Sequence, residues 1–128
     1  MSPDLRALST SAFVLLTTFR RTGAPVGTPV WVVADGDDLL VTTPRRTGKV
    51  KRLRHTSRIT LAPCDFRGKI AADRVPVHAT AVIDDGAARR ERMELGLVEK
   101  YGFVYKVIRA AGRLRRSAPD FVVIVISA

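Results

Sequence analysis

The chain has 128 residues, a net charge of +10 at pH 7 and 46% hydrophobic residues. That length suits one domain, read as residues 1–128, and a domain of this size buries roughly two-thirds of the surface its unfolded chain exposes, enough for a core without staples. The single cysteine, Cys64, excludes an internal disulfide, and His55 and His78 lack the spacing of a zinc site, so no metal is expected and a reducing, cytoplasmic setting is.

No apolar run approaches the ~20 residues of a membrane helix, and Met1-Ser2-Pro3-Asp4 lacks the regions of a signal peptide, so a soluble, unprocessed protein is expected. Residues 3–10 read as a short helix, with Ser2 as N-cap, Pro3 at the first helical position and Leu5 and Leu8 as an apolar pair. Residues 12–19 are apolar and rich in strand formers, and a turn at 20–25 joins them to a second strand over 26–34, forming a hairpin. Both faces of that second strand are largely apolar, which predicts a central position. Pro29 contradicts full pairing, because it has no N–H to give a ladder. Trp31 beside it reads equally as core or as a ring exposed to a flat ligand.

Asp35-Gly36-Asp37-Asp38 signals a tight turn into a third strand over 39–43, predicting an antiparallel meander of three strands. Pro44 ends that strand. The stretch 45–54 then holds six basic residues and no acid, and reads as a Gly-containing turn followed by a helix that buries Val50 and Leu53. A fourth strand follows at 58–63, a loop at 64–69, and a fifth strand at 75–84 with the alternation Val75, Val77, Ala79, Ala81, Ile83. The pattern turns helical from Gly86 to about Gly102, with a shorter helix at 104–111 ended by Gly112. A second basic cluster occupies 113–116. The last strand, 121–126, is apolar without alternation, which implies burial on both faces and, in so small a chain, a dimer interface. Six strands with a crossing helix and a helical excursion describe a mainly β molecule, a small barrel with peripheral helices.

The strand ending in Thr42 and Thr43, followed by the Gly-containing turn and the basic run 45–54, is the place where an anion is best held, by hydroxyls, backbone N–H groups and lysine or arginine together. Within that run Lys51, Arg52 and Arg54 read as well as solvated helix surface. Catalytic side chains are scarce. There is no nucleophile elbow, Cys64 pairs with neither histidine by any spacing, and Asp37 and Asp38 are explained by their turn. No catalytic residue is assigned; such a chain fits an enzyme whose bound cofactor carries the chemistry. The charge also admits a basic nucleic-acid-binding module. The chain has no Asn and no Gln and only 6% aromatic residues, which leaves little for base reading or stacking.

The ordered series Val14 to Arg20, Gly23 to Val32, Leu39 to Thr43, Thr47 to Arg54 and Leu61 to Asp65 resembles the pyridoxamine-phosphate-oxidase-like flavin and deazaflavin family, and within it the actinobacterial branch dependent on F420. The likeness runs from Ser9 to about Ser127. It implies a homodimeric, six-stranded antiparallel split β-barrel of the FMN-binding type, with a cofactor at the dimer interface and hydride transfer to or from a small organic substrate. On matching positions it implies a phosphate grip by Thr42, Thr43, Arg46, Thr47, Gly48 and Lys49, and a ring site lined by Pro29, Val30 and Trp31. The chain departs from true pyridoxamine phosphate oxidases in the first strand, where Ala12 and Thr17 stand in place of Arg and Lys. It also lacks their C-terminal arginine segment after Phe121. Vitamin B6 oxidation is therefore rejected. The phosphate and acidic tail of F420 suit the two basic clusters, which favours F420 over FMN.

Overall fold

A computed structural model describes residues 2–71, 74–113 and 120–128. The chain opens with α1 (Pro3–Ser9), whose first turn is capped as its sequence predicts: the Leu5 N–H donates to the Ser2 hydroxyl at 3.2 Å, and Leu5 and Leu8 are buried. There follow β1 (Phe13–Phe19), β2 (Pro25–Val30), β3 (Val33–Asp35), β4 (Asp38–Pro44), α2 (Gly48–Leu53), β5 (Arg58–Cys64), β6 (Val77–Asp84), α3 (Ala87–Arg113) and β7 (Phe121–Ser127).

The strands form one antiparallel sheet in the order β2-β1-β5-β6-β7-β4-β3. Val14 and Val30 from one end of this order share a core cluster with Leu39 and Val41 from the other, together with Ile59, Leu61, Ile124 and Ile126. A flat sheet could not bring those ends together, so the sheet curls around a single interior. α1 adds Leu5 and Leu8 to that interior, and α2 adds Leu53.

The region 26–34 departs from its expected form. It is two strands, and neither is central: β2 and β3 are the two edges of the sheet. The chain breaks after Val30 and crosses from one edge to the other through Trp31 and Val32, so the barrel has seven strands and the expected three-strand meander is two separate hairpins. Pro25 and Pro29 explain the outcome, since an edge strand leaves half of its N–H groups without a neighbour and tolerates residues that have none.

β7 is buried on both faces, as its composition predicts, but the chain itself covers both. Ile124 and Ile126 enter the interior, while Val123 and Val125 pack outward with Leu40, Val33, Met93 and Leu97 of α3. That strand therefore gives no argument for a dimer. The helical excursion is likewise as expected up to Gly102, where φ 55 and ψ −123 interrupt α3. The helix then runs on through Gly112 to Arg113. Of the second basic cluster, Leu114, Arg115 and Arg116 lie outside the described residues.

Candidate functional site

Strand alternation decides what the end of β4 can do. Leu39 and Val41 point into the barrel and Leu40 points toward α3, so Thr43 continues the inward face and Thr42 the outward one. The two threonines thus serve opposite sides of the sheet. Thr43 is only 1% exposed, and its hydroxyl lies 3.4 Å from that of Thr47.

Arg45 and Arg46 separate in role. Arg45 is a strut between segments: its N–H donates to the Asp120 carbonyl, and its guanidinium pairs with Asp120 at 2.8 Å and Asp85 at 3.0 Å. Those bonds, that to Asp120 foremost, raise its pKa. Arg46 is exposed.

Thr47 is the N-cap of α2, but its side chain makes no cap hydrogen bond, so it leaves the first-turn N–H groups uncovered. α2 is short, and the positive charge here comes mainly from side chains. Lys49 is half-buried, and burial, then the neighbouring Arg52, hold its amine below the usual lysine range. Arg52 turns back toward β1, where its Nε donates to the hydroxyl of the fully buried Thr18 at 2.6 Å. Its guanidinium comes within 2.5 Å of where a Cβ on Gly48 would stand. Glycine at 48 is what lets the arginine lie across the start of the helix. Burial, then the charge of Arg20, lower the pKa of Arg52.

Among the described residues no ion pair involves Arg46, Lys49 or Arg52. Two partly desolvated cations, two threonine hydroxyls and an uncapped helical turn therefore meet with no carboxylate to balance them. Opposite Leu16 in the register, one inward position before Thr18, β2 turns Thr28 inward, and its buried hydroxyl has no partner among the described residues. A phosphate fits this donor set.

Pro29, Val30 and Trp31 do not form one surface within the chain. Pro29 is exposed on the outer face of β2, and Val30 is buried in the barrel. Trp31 packs against the cluster beneath α3, with its ring stacked on Tyr101 at a centroid distance of 4.3 Å and an angle of 13°. The ring is half-buried, with one face covered by Tyr101. The break beside it is sealed by α3. Lys100 Nζ donates to the carbonyls of Val32 at 2.6 Å and Ser11 at 2.8 Å, and the Tyr101 hydroxyl donates to the Ala12 carbonyl at 2.8 Å and accepts from the Val32 N–H at 3.2 Å. Burial lowers the Lys100 pKa to about 8.

The grouping of Thr43, Thr47, Gly48 and Lys49 is thus brought together, Thr42 faces away, and Arg46 stands in solvent. Arg52 is not merely solvated surface, whereas Lys51 and Arg54 are exposed. Thr18, Lys100 and Tyr101 carry no weight in the sequence reading. Thr18 has a visible signal, a polar residue continuing the inward series Val14, Leu16; Lys100 and Tyr101 sit on a helix whose docking sequence spacing does not reveal. Burial, then Asp65, raises the pKa of Cys64, as befits an inert thiol. No cluster able to hold a metal ion occurs among the described residues.

The sequence matches the family model for pyridoxamine 5'-phosphate oxidase over residues 1–128. No curated protein matches. Among solved structures, a candidate pyridoxamine 5'-phosphate oxidase from Listeria innocua superposes with a TM-score of 0.62 at 15% identity, over 96% of this chain and 88% of its own. A protein named F420 reductase gives 0.58 at 18% identity, over 95% of this chain and 90% of its own. An FMN-binding protein related to pyridoxamine 5'-phosphate oxidase from Nostoc punctiforme gives 0.57 at 11% identity, over 95% and 73%. At these identities the likeness is one of fold, the split barrel.

Proposed function

The chain belongs to the pyridoxamine 5'-phosphate oxidase family, and from that premise we propose that it is an F420-dependent oxidoreductase acting on a small organic substrate. The observation that carries the reading is the acid-free corner formed by Thr43, Thr47, Lys49 and Arg52, with Arg52 anchored on Thr18. It suits the phosphate of a cofactor of this class. The bound deazaflavin supplies the hydride chemistry; the chain supplies grip and orientation. The F420 reductase of the same fold supports this choice of cofactor.

The second subunit of a homodimer is part of the proposal. Thr42 and Pro29 face outward here, and a ring site including them requires a surface from elsewhere.

Fluorescence titration with F420 tests the reading. Saturable binding at micromolar protein is expected, weakened about tenfold or more by Lys49→Ala, since a charge-assisted phosphate contact contributes roughly 1.5–3 kcal/mol. Absence of saturation, or an unaffected Lys49→Ala, removes it. Uptake of FMN with a yellow absorbance band, in place of F420 binding, assigns the same corner to a flavin.

A further inference from the structure

At the far end of α2 from Gly48 lies a cleft of about 350 Å³ lined by Phe19, Arg20, Arg21, Gly23, His55, Thr56 and Arg58. The β1–β2 turn supplies one wall, and the segment from α2 into β5 the other. No carboxylate lines it, and among the described residues no ion pair involves Arg20, Arg21 or Arg58.

The cations are held in place by contacts that leave their donors available. The Arg58 guanidinium carbon lies 3.8 Å from the centroid of the Phe19 ring, a contact with the ring face that gives its N–H groups no hydrogen-bond acceptor atom. One terminal nitrogen of Arg21 is 3.2 Å from Nε2 and 3.3 Å from Nδ1 of His55. Equidistance from both ring nitrogens places it across the imidazole, and a guanidinium N–H only donates, so at most one of its donors is used there. Arg20 is near enough to Arg52 to act on it electrostatically, so the cleft continues the positive surface of the phosphate corner.

Like charges brought together without a counter-charge repel, and three guanidinium forks around a concave surface match the oxygens of carboxylate or phosphate. We propose that the cleft between Arg20, Arg21, His55 and Arg58 is a second anion-binding site, taking a small polyanion that bears carboxylate or phosphate groups. The occupant is a free anion or the acidic end of a ligand seated at Lys49 and Arg52.

The His55 ring resonances, identified by their loss in His55→Gln, report on the cleft in the full chain. Titration with pyrophosphate, and separately with citrate, at constant ionic strength is expected to shift them saturably. Arg20→Ala with Arg21→Ala weakens that binding about tenfold or more; Arg21→Gln alone, which keeps the side-chain stem, serves if the double variant loses its fold. If the variant weakens F420 binding in parallel, the acidic end of the cofactor reaches the cleft. If F420 binding is unchanged while pyrophosphate binding falls, the occupant is a free anion. Shifts that rise without saturation, or saturable shifts indifferent to loss of the arginines, overturn the proposal. The simple-anion readout uses no cofactor, so its failure and a failure to bind F420 are separate results.

Discussion

The bond from Arg52 to Thr18 sets where the second cation of the phosphate corner sits. A free arginine side chain carries ~2 kcal/mol of rotamer entropy, and anchoring Nε on a buried hydroxyl removes part of that cost before any ligand arrives. Thr18→Val keeps the shape of the side chain and deletes the acceptor. Stability is expected to change by about 1 kcal/mol or less, while F420 affinity falls about threefold to tenfold. Urea unfolding and the fluorescence titration read the two effects separately, and equal loss in both would reduce Thr18 to a packing residue.

Lys100 is the other residue whose chemistry depends on place. Its folded pKa of about 8 lies below the usual lysine value because of burial. The unfolded chain therefore binds more protons between about pH 8 and 10.5, and folding stability contributed through this group rises with pH across that window. The neutral amine keeps two N–H groups, so both carbonyl contacts survive deprotonation. Lys100→Met is expected to flatten the rise in urea midpoint between pH 8 and 10.5 relative to the parent. Parallel midpoint curves for the two proteins would contradict the assignment. The sequence shows Lys100 only as one more charge on a helix among Glu99 and Arg92, because the burial that lowers its pKa arises only once α3 docks on Val32, 68 residues away.

Among elements, the run 26–34 was the least legible and α1 the most. α1 is specified locally, by a serine, a proline and two leucines, and it forms over the residues those signals indicate. The run 26–34 reads as one strand because composition there is uniform; its division depends on the two ends of a curled sheet meeting, a long-range fact that local pattern does not encode. Pro29 was the legible clue, and it marks an edge. α3 is then needed to close the gap between edges, and Gly96 sets its distance from β3. A Cβ on Gly96 would stand 2.9 Å from Cβ and Cγ2 of Val33, and the Val33 Cβ cannot move without the strand. Gly96→Ala is expected to cost about 1–3 kcal/mol as overpacking, despite the gain in helix propensity. It should also weaken the near-UV circular dichroism of the stacked Trp31 and Tyr101. A more stable Gly96→Ala protein with that signal intact would show that the helix docks more loosely.

At the scale of the whole molecule, the homodimer proposed above needs a face on which two copies could meet. The net charge is +10, yet the outward face of β1 presents Phe13, Leu15 and Thr17, flanked by Gly27 and Pro29 of β2 and by Ala62 and Cys64 of β5. No charged side chain stands in that set. Leu15 closes over Gly27, where a Cβ would meet it at 3.1 Å, and Gly68 folds the following loop against Leu15 and Pro29. We propose that this glycine- and proline-flanked sheet face takes part in self-association, with Arg58 over Phe19 and the loop 67–69 at its margin. The chain is expected to sediment at twice its 14.0 kDa mass. Leu15→Glu, which places a charge on this face while leaving the inward series Val14, Leu16, Thr18 untouched, should return it to the monomer with its far-UV circular dichroism preserved. If the second subunit also completes the ring site, that variant loses F420 affinity as well. A parent that sediments as a monomer, or a Leu15→Glu protein that stays dimeric, would move the interface off this face.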